Sequence, residues 1–423
     1  MSSTTAAAGQ APQKPQLFAG EPLDHLLTLA LCRLGASDAT NIGFPRASDL
    51  CFREVGPFLD FMINNLGHPR TVGLYPAHVK DIEQRVLSYF AGLFGAPAGW
   101  DGYVTTGGTE GNLYGLAAAR DHYPNAVVYI SSSAHYSAAK AARLLSLPTI
   151  IVPTLRGGEI DCAALRHLAA EQSDRPAIAV CTVGTTMYEA IDSVPRVRRA
   201  LAAAGVRETW IHADAAMAGP HLALTGRRDF GLAAAGGSDT ISVSGHKWYG
   251  TPIPCGIVLS RRSPPAPANL VGYIGAADTT ISGSRSGLAA IMLWHALTQI
   301  TRRGTAEHRL RAERARAVAA HAHRRLTEIG WPCWRNRNAI TVMLQPLPTD
   351  LLQRWPLPSA DSADRWAHLV CMPGVSHSVI DQLVDDLAGW QTGQRGRRTP
   401  KPRRRVAASG CAEARELRAL GGG

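Results

Sequence analysis

The chain has 423 residues, of which 45% are hydrophobic and 18% charged, an ordinary soluble composition with length enough for one or two buried cores. No apolar run approaches the roughly 18 residues of a membrane span. The net charge of +11 hints at nucleic acid, yet residues 391–423 hold nine Arg/Lys against two Glu, so this tail carries +7 and leaves about +4 elsewhere. Its run from Arg395 to Arg405 has no aromatic residue for base stacking, so no specific nucleic-acid partner is expected.

Residues 1–20, rich in Ala, Ser, Thr, Gln and Pro, read as a disordered tail without the apolar stretch of a signal peptide. Residues 21–35 read as a helix, followed by a loop-rich stretch containing Asn41–Pro45 and Asn64–Pro69. Helical spacing returns over 77–94, where Val79, Ile82, Val86, Tyr89, Phe90 and Leu93 share a face. Short apolar strands then alternate with helices. The strands are expected at 126–131, 149–153, 177–183, 209–213, 239–243 and 255–260, and the helices at 109–120, 136–146, 161–172 and 194–204. Such alternation predicts an α/β domain with a mostly parallel sheet covered on both faces. Helices are expected at 286–300 and 305–329, then a small α+β unit at 331–390 and a basic disordered tail at 391–423. The expected division is an N-terminal segment at 21–80, a large domain at 81–300 and a small one at 301–390. The eight cysteines show no CxxC pair or metal-ligand spacing, which predicts free thiols in a reducing cytoplasm and no metal centre.

Ligands of open α/β sheets bind at the carboxyl ends of strands, and four polar motifs fall there or at helix starts. Thr106-Gly107-Gly108-Thr109 leads into a helix, where free N–H groups and the dipole favour a phosphate. His135 follows the strand at 126–131, and by itself is more readily a helix-capping or core histidine than a functional one. Asp214 ends the strand at 209–213, with only small residues after it. Lys247, in Ser244-Gly245-His246-Lys247, is the one of five lysines in an apolar setting. A buried ammonium is costly, and burial favours the neutral amine that forms a Schiff base.

Together these residues make a chemically complete site for pyridoxal 5'-phosphate (PLP). Lys247 carries the aldehyde, Asp214 pairs with the pyridinium nitrogen, His135 stacks on one ring face and Ala216 touches the other. Thr106, Gly107, Gly108 and Thr109, helped by Ser244 and His246, hold the phosphate.

At these positions the chain resembles the group II PLP-dependent amino-acid decarboxylases, above all the short bacterial histidine decarboxylases and plant serine decarboxylases. The resemblance runs from about residue 41 to 390. It is carried by GYVTTGGTEGNLYG (102–115), AHYSAAK (134–140), HADAA (212–216), SGHKW (244–248), PIPCGIV (252–258), GSRSG (283–287) and WRNRNAITV (334–342). It implies PLP fold type I, like aspartate aminotransferase, with a seven-stranded mostly parallel sheet and a small α+β C-terminal domain. It also implies a homodimer with active sites at the interface and segment 21–80 making dimer contacts. Decarboxylation of an amino acid to the amine and CO2 follows, with His135, His246, Lys247 and Tyr273 as candidate proton donors. Tyr273 matches a loop tyrosine near the family's active site, and Tyr75 and His78 match a substrate-side segment. Departures concern the substrate. The family's GSRNGH reads Gly283 to Leu288 here, with Ser286 and Leu288 replacing an Asn and a His. Glu189 stands where GTTxxGAxD has its last glycine, and Ala339 where histidine decarboxylases tend to carry Ser. Histidine, serine and an apolar amino acid therefore all stay open. So do aldol cleavage, decarboxylation-dependent transamination and a non-catalytic scaffold.

Overall fold

A computed structural model of the chain describes residues 23–38, 40–233, 236–262, 270–359 and 366–397. The expected N-terminal tail lies outside these residues, as does the basic tail beyond Arg397.

Helix α1 (Leu23–Asp38), a 3-10 turn (Arg53–Asp60) and α2 (Lys80–Leu93) precede the sheet. Strands and helices then alternate: β1 (Asp101–Thr105), α3 (Gly108–His122), β2 (Val127–Ser131), α4 (Tyr136–Leu144), β3 (Thr149–Val152), α5 (Cys162–Ala170) and β4 (Ala177–Thr182). They continue with α6 (Val194–Ala203), β5 (Thr209–Asp214), α7 (Gly219–Leu224), β6 (Thr240–Ser244), the short α8 (Gly245–Trp248) and β7 (Gly256–Ser260).

The seven strands form one sheet in the order β1-β7-β6-β5-β4-β2-β3. Only β7 runs against its neighbours, pairing antiparallel with β1 and β6. Strands β2, β4, β6 and β7 are buried at every position, as expected where both faces of a sheet are covered. Strand β3 forms the edge, and its exposed Thr149 and Ile151 reflect that place.

One face packs on Phe90, Phe94, Leu201, Phe230, Trp248 and Leu293. The other packs Leu116, Ala119, Ala138 and Ala141 of α3 and α4 on Val128, Ile130, Ile178 and Val180. Helix α3 lies close to the sheet because Gly115 has no side chain: a Cβ there would sit 2.1 Å from Nδ1 of His212 on β5.

Helices α9 (Gly287–Arg302) and α10 (Glu307–Glu328) lead to β8 (Cys333–Trp334), β9 (Thr341–Leu344), α11 (Thr349–Leu352), β10 (Ala367–Val370) and α12 (His377–Arg397). Three antiparallel strands, β10-β9-β8, share a second core with α10 and α12, built from Leu326, Val342, Leu369, Leu383 and Leu387. Helix α12 continues through Arg397, so residues 391–397, the first seven expected for the tail, are helical. Ile42 belongs to this second core, and its carbonyl accepts from the Val370 amide at 2.6 Å. The loop-rich N-terminal segment thus ties the small unit to the large one.

Candidate active site

The ends of β4, β5 and β6 and the start of α3 enclose a cavity of about 280 Å³. All ten residues expected to hold the cofactor line it: Thr106 to Thr109, His135, Asp214, Ala216, Ser244, His246 and Lys247. Strand geometry explains the convergence, because Asp214 ends β5, Ser244 ends β6, and Lys247 sits in the turn of helix after β6.

Burial lowers the pKa of Lys247, and the Asp214 carboxylate opposes that shift. Its carbonyl accepts from the Ala47 amide at 2.9 Å, which fixes the backbone beneath the side chain. Burial also lowers the pKa values of His135 and His246, so both are neutral at pH 7. His246 is held by the main chain of Cys255, its Nδ1 lying 3.0 Å from that carbonyl. His135 occupies a helix start beside the cavity. It caps α4, accepting from the Ser137 amide at 3.3 Å, and its ring lines the cavity.

The phosphate loop is shaped by a residue the sequence reading passed over. Glu110 accepts from the Thr106 amide at 2.8 Å and the Thr106 hydroxyl at 2.7 Å, and also from Tyr103 and Ser282. Thr106 is therefore committed to the loop itself. The first-turn N–H groups of Gly108, Thr109 and Glu110 have no intrahelical acceptors. A Cβ on Gly108 would lie 2.9 Å from the Ser244 hydroxyl and 3.4 Å from the Ala216 methyl, filling the cradle. A free helix start, a bare glycine, a buried lysine and a carboxylate suit the phosphate, ring, aldehyde and pyridine nitrogen of PLP. Among the described residues no group of three or more His, Cys, Asp or Glu is disposed to hold a metal.

Asn112 was also missed. Its amide nitrogen donates to Asp214 Oδ2 at 2.8 Å and to Ser137 Oγ at 2.9 Å. Its oxygen accepts from Ser242 Oγ at 2.6 Å and from Nε2 of the fully buried His212 at 2.9 Å. Asp214 Oδ1 takes the Ala216 amide at 3.2 Å. The TGGTEGN motif contains both Glu110 and Asn112, so the motif was a signal, but their partners were not legible in it.

The remaining candidates lie outside this cavity. Tyr273 is 81% exposed on a turn closed by the Val271–Ala276 bridge. Tyr75 and His78 line a separate small recess with Asn64 and Ile274. Ser286 caps α9 through the Ala289 amide at 3.3 Å, and Ala339 is buried just before β9. Glu189, the departure from the family's glycine, keeps a left-handed backbone (φ 47°) and is fully buried. Its Oε2 accepts from the Ile340 and Thr341 amides and the Thr341 hydroxyl, at 2.9, 2.8 and 2.6 Å. Its Oε1 meets His221 Nε2 at 2.8 Å. A carboxylate thus bolts the loop after β4, which lines the cavity at Gly184 and Thr186, to β9 of the small unit.

Comparison with known proteins agrees with this geometry. The family model of the pyridoxal-dependent decarboxylase conserved domain matches residues 55–283. Histidine decarboxylase of Mesorhizobium japonicum is 38% identical over 353 residues, covering 82% of this chain and 92% of that protein. That of Morganella morganii is 36% identical, covering 82% and 91%. Among solved structures, L-methionine decarboxylase from Streptomyces sp. 590 superimposes with a TM-score of 0.77 at 26% identity, over 88% of this chain and 96% of that one. Glutamate decarboxylase of Lactobacillus brevis shares the fold, with a TM-score of 0.73 at 17% identity over 91% and 95% of the two chains.

Proposed function

The chain belongs to the pyridoxal-dependent decarboxylase family, and we propose that L-histidine is the amino acid it decarboxylates. It is a PLP-dependent carboxy-lyase acting on an amino acid. The observation that carries the histidine reading is identity of 36–38% across nine-tenths of the length of histidine decarboxylases.

When bound, PLP supplies the electron sink for the pair left behind as CO2 departs. Lys247 is the residue to hold its aldehyde, because burial enlarges the neutral fraction of the amine at physiological pH. Asp214 would pair with the ring nitrogen and favour its protonated form, and His135 and Ala216 would hold the ring between them. The first turn of α3, with Ser244 and His246, receives the phosphate. Of the candidate proton donors to Cα, His135, His246 and Lys247 line the cavity. Tyr273 is exposed and outside this cavity, and in the dimer reading it would serve the site of a neighbouring subunit.

A homodimer accounts for the outlying candidates. Leu74 donates its amide to the Ile274 carbonyl at 2.8 Å, and the Tyr75 hydroxyl donates to the Met62 carbonyl at 3.0 Å. Tyr75, His78 and the Tyr273 turn thus form one unit, flanked by exposed Phe61, Met62, Val72, Leu74 and Leu270. An exposed apolar patch of this kind marks an association surface, and in this reading it presents those residues to the partner's site. Among the described residues no helix is long and apolar enough to cross a membrane, and their seven cysteines are free, which supports a cytoplasmic enzyme.

Decarboxylation of an apolar amino acid is the second reading. It is favoured by the loss of polar groups at Ser286, Leu288 and Ala339 and by the likeness to L-methionine decarboxylase. Purified protein with PLP, offered a panel of amino acids, decides between them by the amine released. Histamine as the main product supports histidine, and 3-methylthiopropylamine as the main product replaces it with methionine. Borohydride reduction followed by peptide mapping should place the cofactor on Lys247, and Lys247→Ala should abolish both attachment and turnover.

A further inference from the structure

Six side chains form a single run of hydrogen bonds whose protons all point the same way. Trp210 Nε1–H donates to Thr240 Oγ1 at 3.3 Å, and Thr240 donates to His212 Nδ1 at 2.9 Å. His212 Nε2–H donates to Asn112 Oδ1 at 2.9 Å, and the Asn112 amide donates to Ser137 Oγ at 2.9 Å. Ser137 then gives its own proton to His135 Nδ1 at 2.7 Å.

The direction follows from the ends and the branch. Indole N–H can only donate. The Asn112 amide is fixed by Asp214, since an oxygen placed 2.8 Å from that carboxylate would be repelled, so its nitrogen must face Asp214 and Ser137. Ser137, accepting from the amide, has only its own hydrogen to offer His135. The Ser137 main-chain N–H approaches the same ring nitrogen at 3.3 Å, so Nδ1 carries the lone pair. His212 stays neutral because burial pulls its pKa down to about 4. Aligned donors of this kind polarise one another in a low-dielectric interior.

We infer that Asn112 is a positioning residue whose one carboxamide orients Asp214 and, through Ser137, fixes the neutral Nε2–H tautomer of His135 at the cavity. Trp210, Thr240 and His212 are the buried anchor that keeps that carboxamide from turning. The inference rests on the reading of the cavity as the PLP site, but the state of His135 is measurable without the cofactor.

The test uses full-length apoprotein labelled with 15N-histidine. In the native protein the His135 signals should show Nε2 protonated and Nδ1 bare. Ser137→Ala, which removes the 2.7 Å hydroxyl bond and leaves only the weaker 3.3 Å main-chain contact, should raise the share of the Nδ1–H tautomer, and Ser137→Thr should restore the native pattern. In the PLP-loaded enzyme Ser137→Ala should lower kcat by roughly 10- to 100-fold with little change in KM. Asn112→Asp removes both amide hydrogens, one given to Asp214 and one to Ser137, and should alter the visible absorption of bound PLP as well as the His135 tautomer. An unchanged tautomer in folded Ser137→Ala and Asn112→Asp proteins overturns the inference. So does a Ser137→Thr protein as impaired as Ser137→Ala, since packing alone would then explain the loss. If the wild type binds no PLP while the tautomer behaves as stated, the cofactor reading fails and the positioning network stands.

Discussion

His212 and Glu189 are fully buried polar groups, and each makes a prediction of its own sign. His212 has a folded pKa near 4 against an ordinary value of 6.5. Between those values the unfolded chain binds the extra proton and the folded one does not. Stability contributed by neutral His212 is therefore present above pH 6.5 and lost as pH falls toward 4, by on the order of 3 kcal/mol. Urea unfolding of wild type and His212→Gln at several pH values should show a shallower acid loss in the variant, and equal slopes would refute the assignment. Glu189 combines a strained backbone (φ 47°) with a carboxylate that satisfies three donors of Ile340 and Thr341, at the start of β9, and the ring of His221. Glu189→Ala should cost about 3–5 kcal/mol, because the partners are left buried and unpaired. Glu189→Gly loses the same partners but relieves the left-handed strain, so it should be the milder change by about 1 kcal/mol in denaturant midpoints.

Helix α3 makes two kinds of close contact, and its glycines report them separately. A methyl on Gly108 meets Ser244 and Ala216 at the cavity wall, whereas one on Gly115 meets the His212 ring inside the core. Gly108→Ala should weaken PLP binding with the unfolding midpoint nearly kept, as followed by fluorescence titration. Gly115→Ala should lower the midpoint itself, costing about 1–3 kcal/mol or more through overpacking. The same helix shows what a sequence discloses. Its start was legible because Thr-Gly-Gly-Thr is a local signal, and the six strands read as apolar runs all occur. Strand β1 was not read as a strand, because Asp101–Thr105 has a glycine and a single β-branched aliphatic residue and passes for the lead-in to that turn. Its strand character comes from β7, its antiparallel neighbour more than 150 positions away. The residues proposed to hold the cofactor could be picked out because they sit at or just after the end of a strand or at the start of a helix. Asn112 was not, since His212, Asp214 and Ser242 lie 100, 102 and 130 positions from it. Glu189 was visible as a departure, but its partners on β9 were not.

At the scale of the whole molecule the question is whether one chain holds a complete site. The residues proposed to hold the cofactor line one cavity, while Tyr75, His78 and Tyr273 sit together on a different, partly exposed surface. If that surface completes the cavity of a second copy, two inactive variants with lesions in different halves must repair one another. Lys247→Ala removes the amine, and Tyr75→Ala alters the surface that faces the partner. Each alone should be nearly inactive. Mixed by partial denaturation and refolding in equal amounts, half of the dimers should be hybrid, and each hybrid carries one site with both its lysine and its tyrosine. Activity should then return to roughly a quarter of wild type, the yield that two-fold symmetry dictates. A mixture that stays at the level of the separate variants would show instead that each chain supplies its own Tyr75. The apolar patch at 58–74 and 270–273 would then need a different explanation. Because the readout is recovery rather than loss, misfolding of either variant cannot imitate the expected result.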